Sequence, residues 1–177
     1  MSKKLLTPEE LVKDLKQAFK SKIKDAKIER RAVGVKKKER TALWLKADKE
    51  SLHDIVKHLK NYDYPHLAVV SGNDLGKTIE LIYHFTVYYG NPLQEILINI
   101  SVELPKEKPV IPTITDIIPG ALVTEREKQE MLGVKIEGIP DGRRIFLPDD
   151  FPEDVYPWRK DEKGPQKMVR DLYEVKK

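Results

Sequence analysis

Cysteine is absent from this chain of 177 residues. Disulfides, thiolate-bound metals, cysteine-ligated iron–sulfur clusters and a cysteine nucleophile are therefore excluded within it. Long apolar runs are also missing, since no stretch reaches the roughly eighteen residues that a transmembrane helix needs. The N-terminal residues lack a sustained apolar segment, so we expect no signal peptide. Any redox chemistry is therefore expected beside this chain and not on it.

Asparagine and glutamine are scarce, with 8 residues together against 25 lysines and 16 glutamates. Such a balance is typical of thermophilic proteins. The formal charge of +4 is uneven, because residues 1–60 carry +9 and residues 61–177 carry −5. A basic half is compatible with a nucleic-acid-binding module, but acidic residues are interleaved along it and no recognised nucleic-acid-binding motif is present. We therefore favour ion-paired, solvated faces and no nucleic acid partner.

Hydrophobic periodicity predicts an α+β fold. Thr7-Pro8-Glu9-Glu10 has the pattern of a capping box, which starts a helix over about residues 8–20. A second amphipathic helix follows Asp48 or Ser51, either of which is a suitable N-cap. Alternating apolar residues predict five strands, at about residues 28–35, 41–45, 66–71, 78–89 and 94–104. We expect the last three to form an antiparallel meander within an antiparallel or mixed sheet that carries helices on one face.

Prolines interrupt the chain after Leu104 and are frequent from Gly138 onward. We therefore predict an α+β core domain at residues 1–104 and an extended, proline-rich interaction tail at residues 105–177. Thr124 to Glu127 has the pattern of a second capping box, and Gly133 is a suitable end for the short helix that it opens. Because a proline-rich tail forms few backbone ladders, we expect packing on a partner to order it.

Three motifs suggest a chemical function, but each has a simpler structural explanation. The segment from Gly72 to Thr78 resembles a phosphate-binding loop, yet it has one residue too few between its glycines and precedes a strand, which indicates a hairpin turn. The histidines lack the spacing of metal ligands on a helix. The acidic pair Asp149-Asp150 would suit a small hydrolase, but the neighbouring Arg143-Arg144 favours an internal ion-pair network. We predict no catalytic, cofactor-binding or metal-binding residue in the chain.

A signature in the C-terminal third resembles that of a known family. Its elements are, in order, Glu125-Arg126-Glu127, Leu132-Gly133, Gly138-Ile139-Pro140-Asp141-Gly142-Arg143-Arg144, Leu147-Pro148-Asp149-Asp150-Phe151 and Arg159-Lys160-Asp161. Their order and spacing resemble those of the cofactor-free hydrophilic-arm subunit of respiratory complex I and of its relatives in energy-converting membrane-bound hydrogenases. The resemblance covers about residues 120–162 and is looser over Gly72 to Phe85. Departures from the family pattern, such as Gln129-Glu130 and Ile139, favour a divergent branch.

The resemblance implies a non-catalytic assembly subunit of a membrane-bound, ion-translocating oxidoreductase complex. It favours an archaeal energy-converting [NiFe]-hydrogenase or a related sulfur-reducing complex, with a complex I-type quinone oxidoreductase as the alternative. It implies packing on the large catalytic subunit and the small iron–sulfur subunit, on the cytoplasmic side of the cell membrane and in contact with the membrane only indirectly. Iron–sulfur clusters and a nickel–iron site would then lie in those partners, with no cofactor in this chain.

The resemblance also implies which residues form the interface with the rest of the complex. These signature residues are Glu125, Arg126, Glu127, Gly133, Gly138, Pro140, Arg143, Arg144, Leu147, Pro148, Asp149, Asp150, Arg159, Lys160 and Asp161.

Overall fold

The computed structural model describes residues 5–91 and 93–168. Its main element is a five-stranded mixed sheet, which confirms the predicted α+β class. The helices are α1 Pro8–Phe19, α2 Leu52–Leu59 and α3 Ala121–Leu132, with short 3₁₀ turns at Lys20–Lys22, Lys49–Ser51 and Pro165–Lys167. The strands are β1 Ile23–Val33, β2 Lys38–Ala47, β3 His66–Asp74, β4 Thr78–Val87, β5 Ile96–Pro105, β6 Val110–Pro112 and β7 Lys135–Glu137.

Helix α1 begins with the predicted capping box. The Glu10 backbone N–H donates to Thr7 Oγ1 at 3.2 Å, and the Thr7 N–H donates to Glu10 Oε2 at 2.7 Å. Two N–H groups that the helix start leaves without partners are thereby satisfied, and Pro8 at the first helical position has no N–H to satisfy. No side-chain hydrogen bond caps helix α2, which follows a 3₁₀ turn. The Ser51 Oγ that could have capped the helix donates instead to the Asp48 carbonyl at 2.8 Å.

The large sheet has the strand order β1-β2-β5-β4-β3. Strands β3, β4 and β5 pair in antiparallel fashion, which confirms the predicted meander. Strand β2 lies parallel to β5, and the intervening helix α2 belongs to the crossover that a parallel neighbour requires. The segment that resembles a phosphate-binding loop is the β3–β4 hairpin, in which the Leu75 N–H donates to the Thr78 carbonyl at 2.9 Å.

The hydrophobic core lies on one face of this sheet. Along β4, the side chains of Ile79, Leu81, Tyr83 and Phe85 are fully buried, as expected from their alternation with more polar residues. Helix α3 approaches the same face at Gly72, where an added Cβ would lie 2.4 Å from the Leu132 side chain. Side chains on the opposite face, such as Trp44 and Leu97, are exposed.

Helix α3 starts at Ala121, three residues before the predicted capping box, so that prediction is wrong. Thr124 lies inside the helix, and its Oγ1 accepts a hydrogen bond of 2.9 Å from the Val70 N–H of β3. A tertiary contact therefore uses the hydroxyl that the local pattern assigned to capping. The predicted end is confirmed, because Gly133 closes the helix in the left-handed conformation at φ 68°.

After β7, residues 138–164 contain no helix or strand. This segment returns along α3 toward the β3–β4 hairpin, where the Lys160 N–H donates to Asp74. Ile111 and Leu132 belong to the same hydrophobic core as Leu81 of the sheet. The division into a core domain at 1–104 and a tail at 105–177 stays a prediction. Residues 169–177 of that tail lie outside the described residues.

Candidate protein-interaction surface

Side chains of α3 hold the signature loop, which we define as residues 138–151. The buried carboxylate of Glu130 accepts three consecutive backbone N–H groups, from Ile145, from Phe146 at 2.9 Å and from Leu147 at 3.0 Å. Consecutive N–H groups that converge on one anion form a nest, a motif that fixes the backbone locally. The Glu130 carboxylate thus satisfies backbone N–H groups that a neighbouring strand would satisfy in a sheet.

Two arginines of the signature bind the carbonyl groups of the same loop. The Arg126 guanidinium donates to the Arg143 carbonyl at 2.6 Å and to the Arg144 carbonyl at 3.1 Å. Arg144 in turn donates to the carbonyls of Phe151 at 2.7 Å and Pro148 at 3.3 Å. Guanidinium groups offer five donors in a fixed geometry, so two arginines can satisfy four carbonyls here.

The predicted ion-pair network is only partly present. Asp141 pairs with Arg126 at 3.3 Å and with Arg143 at 2.8 Å, and the hydrogen bonds from Arg143 hold the pKa of Asp141 far below its usual value. The prediction is wrong for Asp149 and Asp150, which form no ion pair within the described part of the chain. Arg144 instead donates through Nη1 to the backbone carbonyls of Pro148 and Phe151.

The Glu-Arg-Glu element of the signature faces inward. Glu125 is buried, and its carboxylate accepts hydrogen bonds from Thr113 Oγ1 at 2.6 Å and from the Ile114 N–H at 2.9 Å. Burial raises the pKa of Glu125, and these two hydrogen bonds oppose that shift. Glu127 pairs with the buried ammonium of Lys128, whose pKa is lowered by burial. These acids therefore connect α3 to its surroundings within the chain.

The Arg-Lys-Asp element ties the end of the segment to the sheet. Arg159 is buried and donates to the Leu132 carbonyl at 2.7 Å. The Lys160 N–H donates to Asp74 of the β3–β4 hairpin at 2.8 Å. Lys106 lies between two carboxylates, 2.7 Å from Asp74 and 2.7 Å from Asp161. Burial alone would raise the pKa of Asp74, but the hydrogen bonds from Lys106, Lys160 and Gly76 lower it to about 2.

The remaining signature residues define turns of the backbone. Gly133 has positive φ, and a Cβ there would lie 2.6 Å from the ring of Tyr156, so glycine is required for two separate reasons. Gly138 also has positive φ, at 78°. Pro140 and Pro148 are exposed, and Leu147 contributes its N–H to the Glu130 nest.

The structure therefore sorts the predicted interface residues into two groups. Residues turned inward hold the fold: Glu125, Arg126, Glu127, Gly133, Arg144, Arg159 and Asp161. The exposed residues are Gly138, Pro140, Arg143, Pro148, Asp149, Asp150 and Lys160, and Leu147 is half-buried between the two groups. An interface role for any of these residues stays a prediction.

Sequence reasoning missed four residues that organise this surface. Glu130 and Lys128 are buried although they occupy a helix rich in charge, and Asp74 and Lys106 lie far apart in sequence. Glu130 stands out only as a departure from the family pattern. The buried Lys128 ammonium lies 4.6 Å from the centre of the Trp158 ring, an arrangement that sequence spacing does not indicate.

The histidines and the basic half have structural partners. His53 pairs with Asp116 and His58 with Asp14, at 2.8 and 2.7 Å. Across residues 5–91 and 93–168, no group of three or more His, Asp or Glu side chains is arranged to hold a metal ion. Basic residues of the N-terminal half pair with acids, for example Arg40 with Glu95 at 2.7 Å. Within the same residues, no helix is long and apolar enough to cross a membrane.

Comparison with known proteins identifies relatives of two kinds, a membrane-bound hydrogenase subunit and a subunit of an NADH-quinone oxidoreductase. The chain is 39% identical to the membrane-bound hydrogenase subunit beta of Pyrococcus furiosus over 134 residues, which are 75% of this chain and 77% of that protein. It is 41% identical to a subunit of the NADH-quinone oxidoreductase of Moorella thermoacetica over 83 residues, which are 47% of this chain and 52% of that protein.

Solved structures share the fold. A chain of the membrane-bound sulfane sulfur reductase, an archaeal respiratory membrane complex, matches with a TM-score of 0.66 at 23% identity, over 93% of this chain and 86% of that chain. A trypsin-resistant fragment of Nqo5 matches with a TM-score of 0.56 at 23% identity, over 75% of this chain and 97% of the fragment.

The family described as the 30 Kd subunit of respiratory-chain NADH dehydrogenase matches residues 45–168, which include β3, β4, β5, α3 and the signature loop. The chain therefore belongs to this family and is a subunit of a complex I-like or membrane-bound hydrogenase-type oxidoreductase complex.

Proposed function

We propose that this chain is a non-catalytic assembly subunit of an archaeal energy-converting [NiFe]-hydrogenase or a related sulfur-reducing complex. The similarity to a membrane-bound hydrogenase subunit covers 75% of this chain and 77% of that protein, whereas the similarities to two NADH-quinone oxidoreductase subunits cover 52% and 56% of those proteins. The absence of cysteine supports a role without electron-transfer clusters bound by this chain.

One structural observation supports an assembly role above all. The signature loop has no backbone ladder, yet Glu130, Arg126 and Arg144 fix its backbone with at least seven hydrogen bonds from side chains. This arrangement leaves the Ile145 and Phe146 side chains exposed. A loop held rigidly with apolar side chains outward is suited to binding another protein.

The proposal extends to partners, cofactors and location. The chain packs on the large catalytic subunit and contacts the small iron–sulfur subunit, at the cytoplasmic side of the cell membrane. The iron–sulfur clusters and the nickel–iron site are held by those partners. Contact of this chain with the membrane is indirect.

Affinity purification tests the proposal. The tagged full-length chain is expressed in its own host, the complex is extracted in mild detergent, and the co-purifying chains are identified by mass spectrometry. We expect a large subunit with a four-cysteine nickel site and a small subunit with cluster-binding cysteines, together with membrane subunits. Recovery of the chain without any oxidoreductase subunit would contradict the assembly role. Truncation at residue 120 is a poor test, because it removes the core residues Ala121, Leu132 and Ile136.

A quinone-reducing complex is the second candidate. The observation that favours it is the 41% identity to a subunit of the NADH-quinone oxidoreductase of Moorella thermoacetica. The same purification distinguishes the two, because a large subunit that lacks the nickel-binding cysteines would indicate the quinone-reducing branch.

A further inference from the structure

We propose that the exposed face of residues 145–154 is a preformed anchor that binds the large catalytic subunit. The partner surface that it binds carries basic side chains around an apolar depression. The anchor combines two apolar side chains, Ile145 and Phe146, with the carboxylates of Asp149, Asp150, Glu153 and Asp154. This inference rests on the proposed function and specifies the chemistry of the partner surface.

The apolar part of the anchor is exposed in this chain. Phe146 is 54% exposed and Ile145 is 37% exposed, although both are large apolar side chains. Val123 of α3 is exposed beside Ile145, and both line one shallow depression whose charged side chains are Arg126, Arg143, Arg144 and Asp149. Aromatic side chains at the centre of an interface contribute a large share of binding energy when a partner desolvates them.

The backbone behind these side chains is fixed before any partner binds. The N–H groups of Ile145 and Phe146 are both held by the buried Glu130 carboxylate. Arg126 holds the two preceding carbonyls, and Arg144 holds the carbonyls of Pro148 and Phe151. Because the loop is ordered in advance, binding loses little conformational entropy.

Charge determines which partner surface fits. The carboxylates of Asp149, Asp150, Glu153 and Asp154 are exposed, and in the described part of the chain none of them forms an ion pair. Asp149 shares its depression with Arg126, Arg143 and Arg144, but Asp141 pairs with Arg126 and Arg143, and Arg144 donates through Nη1 to the Pro148 and Phe151 carbonyls. These four carboxylates, which follow the apolar pair in the sequence, are complementary to a surface that carries lysine or arginine around an apolar socket. The same charges repel anionic lipid.

A competition assay measures the contribution of Phe146. The host expresses wild-type and Phe146→Ala chains together, and mass spectrometry compares their ratio in the purified complex with their ratio in the unassembled pool. We expect Phe146→Ala to be under-represented about 30-fold, the loss typical of an interface hot spot. The matched control is Tyr89→Ala, because Tyr89 is 61% exposed and lies outside the signature loop. We expect the control to be incorporated like the wild type.

Charge-neutralising variants test the second part of the inference. In the same assay, we expect the combined variant Asp149→Asn, Asp150→Asn, Glu153→Gln and Asp154→Asn to be under-represented about tenfold at low salt and less so at high salt. Glu50→Gln with Glu107→Gln, which removes exposed charge elsewhere, is the control. Urea unfolding of each purified variant confirms that it folds like the wild type.

A photo-reactive phenylalanine analogue at position 146 identifies the partner in the intact complex. We expect a cross-link to a lysine- or arginine-rich segment of the large subunit. A cross-link to lipid, to a second copy of this chain or to an acidic segment would overturn the inference, as would equal incorporation of Phe146→Ala and Tyr89→Ala. If the wild-type chain itself recovers no oxidoreductase subunit, the proposed function fails. If it recovers them but the variants behave like their controls, only this inference fails.

Discussion

At the scale of a single residue, Asp74 connects the β3–β4 hairpin to Lys106 and Lys160. Its side chain is fully buried, and it accepts hydrogen bonds from the Lys106 ammonium and from the N–H groups of Gly76 and Lys160. A buried carboxylate is tolerated only when such partners replace its hydration. Here the partners outweigh the cost of burial, and the pKa of Asp74 is lowered to about 2.

Substitution of Asp74 tests this account through the pH dependence of stability. Because the folded-state pKa lies below the unfolded value near 3.8, the ionised group stabilises the fold above about pH 4, and the contribution is lost as the pH falls through 2. We expect Asp74→Asn to lower the free energy of unfolding by about 2 kcal/mol at pH 7 in urea titrations. The difference from wild type should disappear near pH 2. A difference that does not change with pH would show that Asp74 contributes by packing alone.

Helix α3 organises the C-terminal part at the scale of an element. Its N-terminal half holds Thr113 and Ile114 through Glu125, and its C-terminal half holds the signature loop through Glu130. Its end at Gly133 turns the chain beneath the Tyr156 ring. One helix therefore fixes three connections that lack regular hydrogen-bond ladders of their own.

Gly133→Ala tests the turn at the end of α3. An alanine there adopts positive φ at a cost of about 1 kcal/mol and also meets the Tyr156 ring, so we expect a loss of about 3 kcal/mol in the free energy of unfolding. Gly34→Ala is the matched control, because φ is 71° at Gly34 against 68° at Gly133, and no atom lies within 4 Å of the added Cβ. Urea unfolding of both variants measures the difference. Equal losses in the free energy of unfolding would show that the contact with the Tyr156 ring does not contribute.

Glu130→Gln tests how the signature loop is held. A glutamine retains one acceptor oxygen and loses the charge, so three converging N–H groups can no longer all be satisfied. We expect the amides of Ile145, Phe146 and Leu147 to exchange hydrogen at least tenfold faster in this variant. Amides in the middle of β4 serve as the internal control and should be unchanged. Unaltered exchange in the loop would show that Arg126 and Arg144 hold it without Glu130.

At the scale of the whole molecule, the predictable features are those with a local pattern. Period-two alternation along β4 and the Thr7 capping box both satisfy local rules, so the meander and α1 could be predicted from sequence. The parallel pairing of β2 with β5 was not determined by such a rule, because it depends on where the crossover returns the chain.

The surface was less predictable because its hydrogen bonds join a side chain to a distant backbone. Arg126 reaches a carbonyl 17 residues away, and Glu130 reaches an N–H 16 residues away. The expectation that Arg144 pairs with a nearby aspartate failed for the same reason, since Arg144 Nη1 donates to two backbone carbonyls. The similarity to the family, in contrast, was evident from the order of the signature elements.

In the proposed complex, the signature loop and the adjoining residues 152–154 face the large catalytic subunit. Zero-length carboxylate-to-amine cross-linking of the intact purified complex, followed by peptide mass spectrometry, tests this placement most directly. We predict cross-links from Asp149, Asp150, Glu153 or Asp154 to lysines of the large subunit. A large subunit linked only to the exposed sheet face around Trp44, with these four carboxylates unlinked, would show that a different surface of the chain meets it.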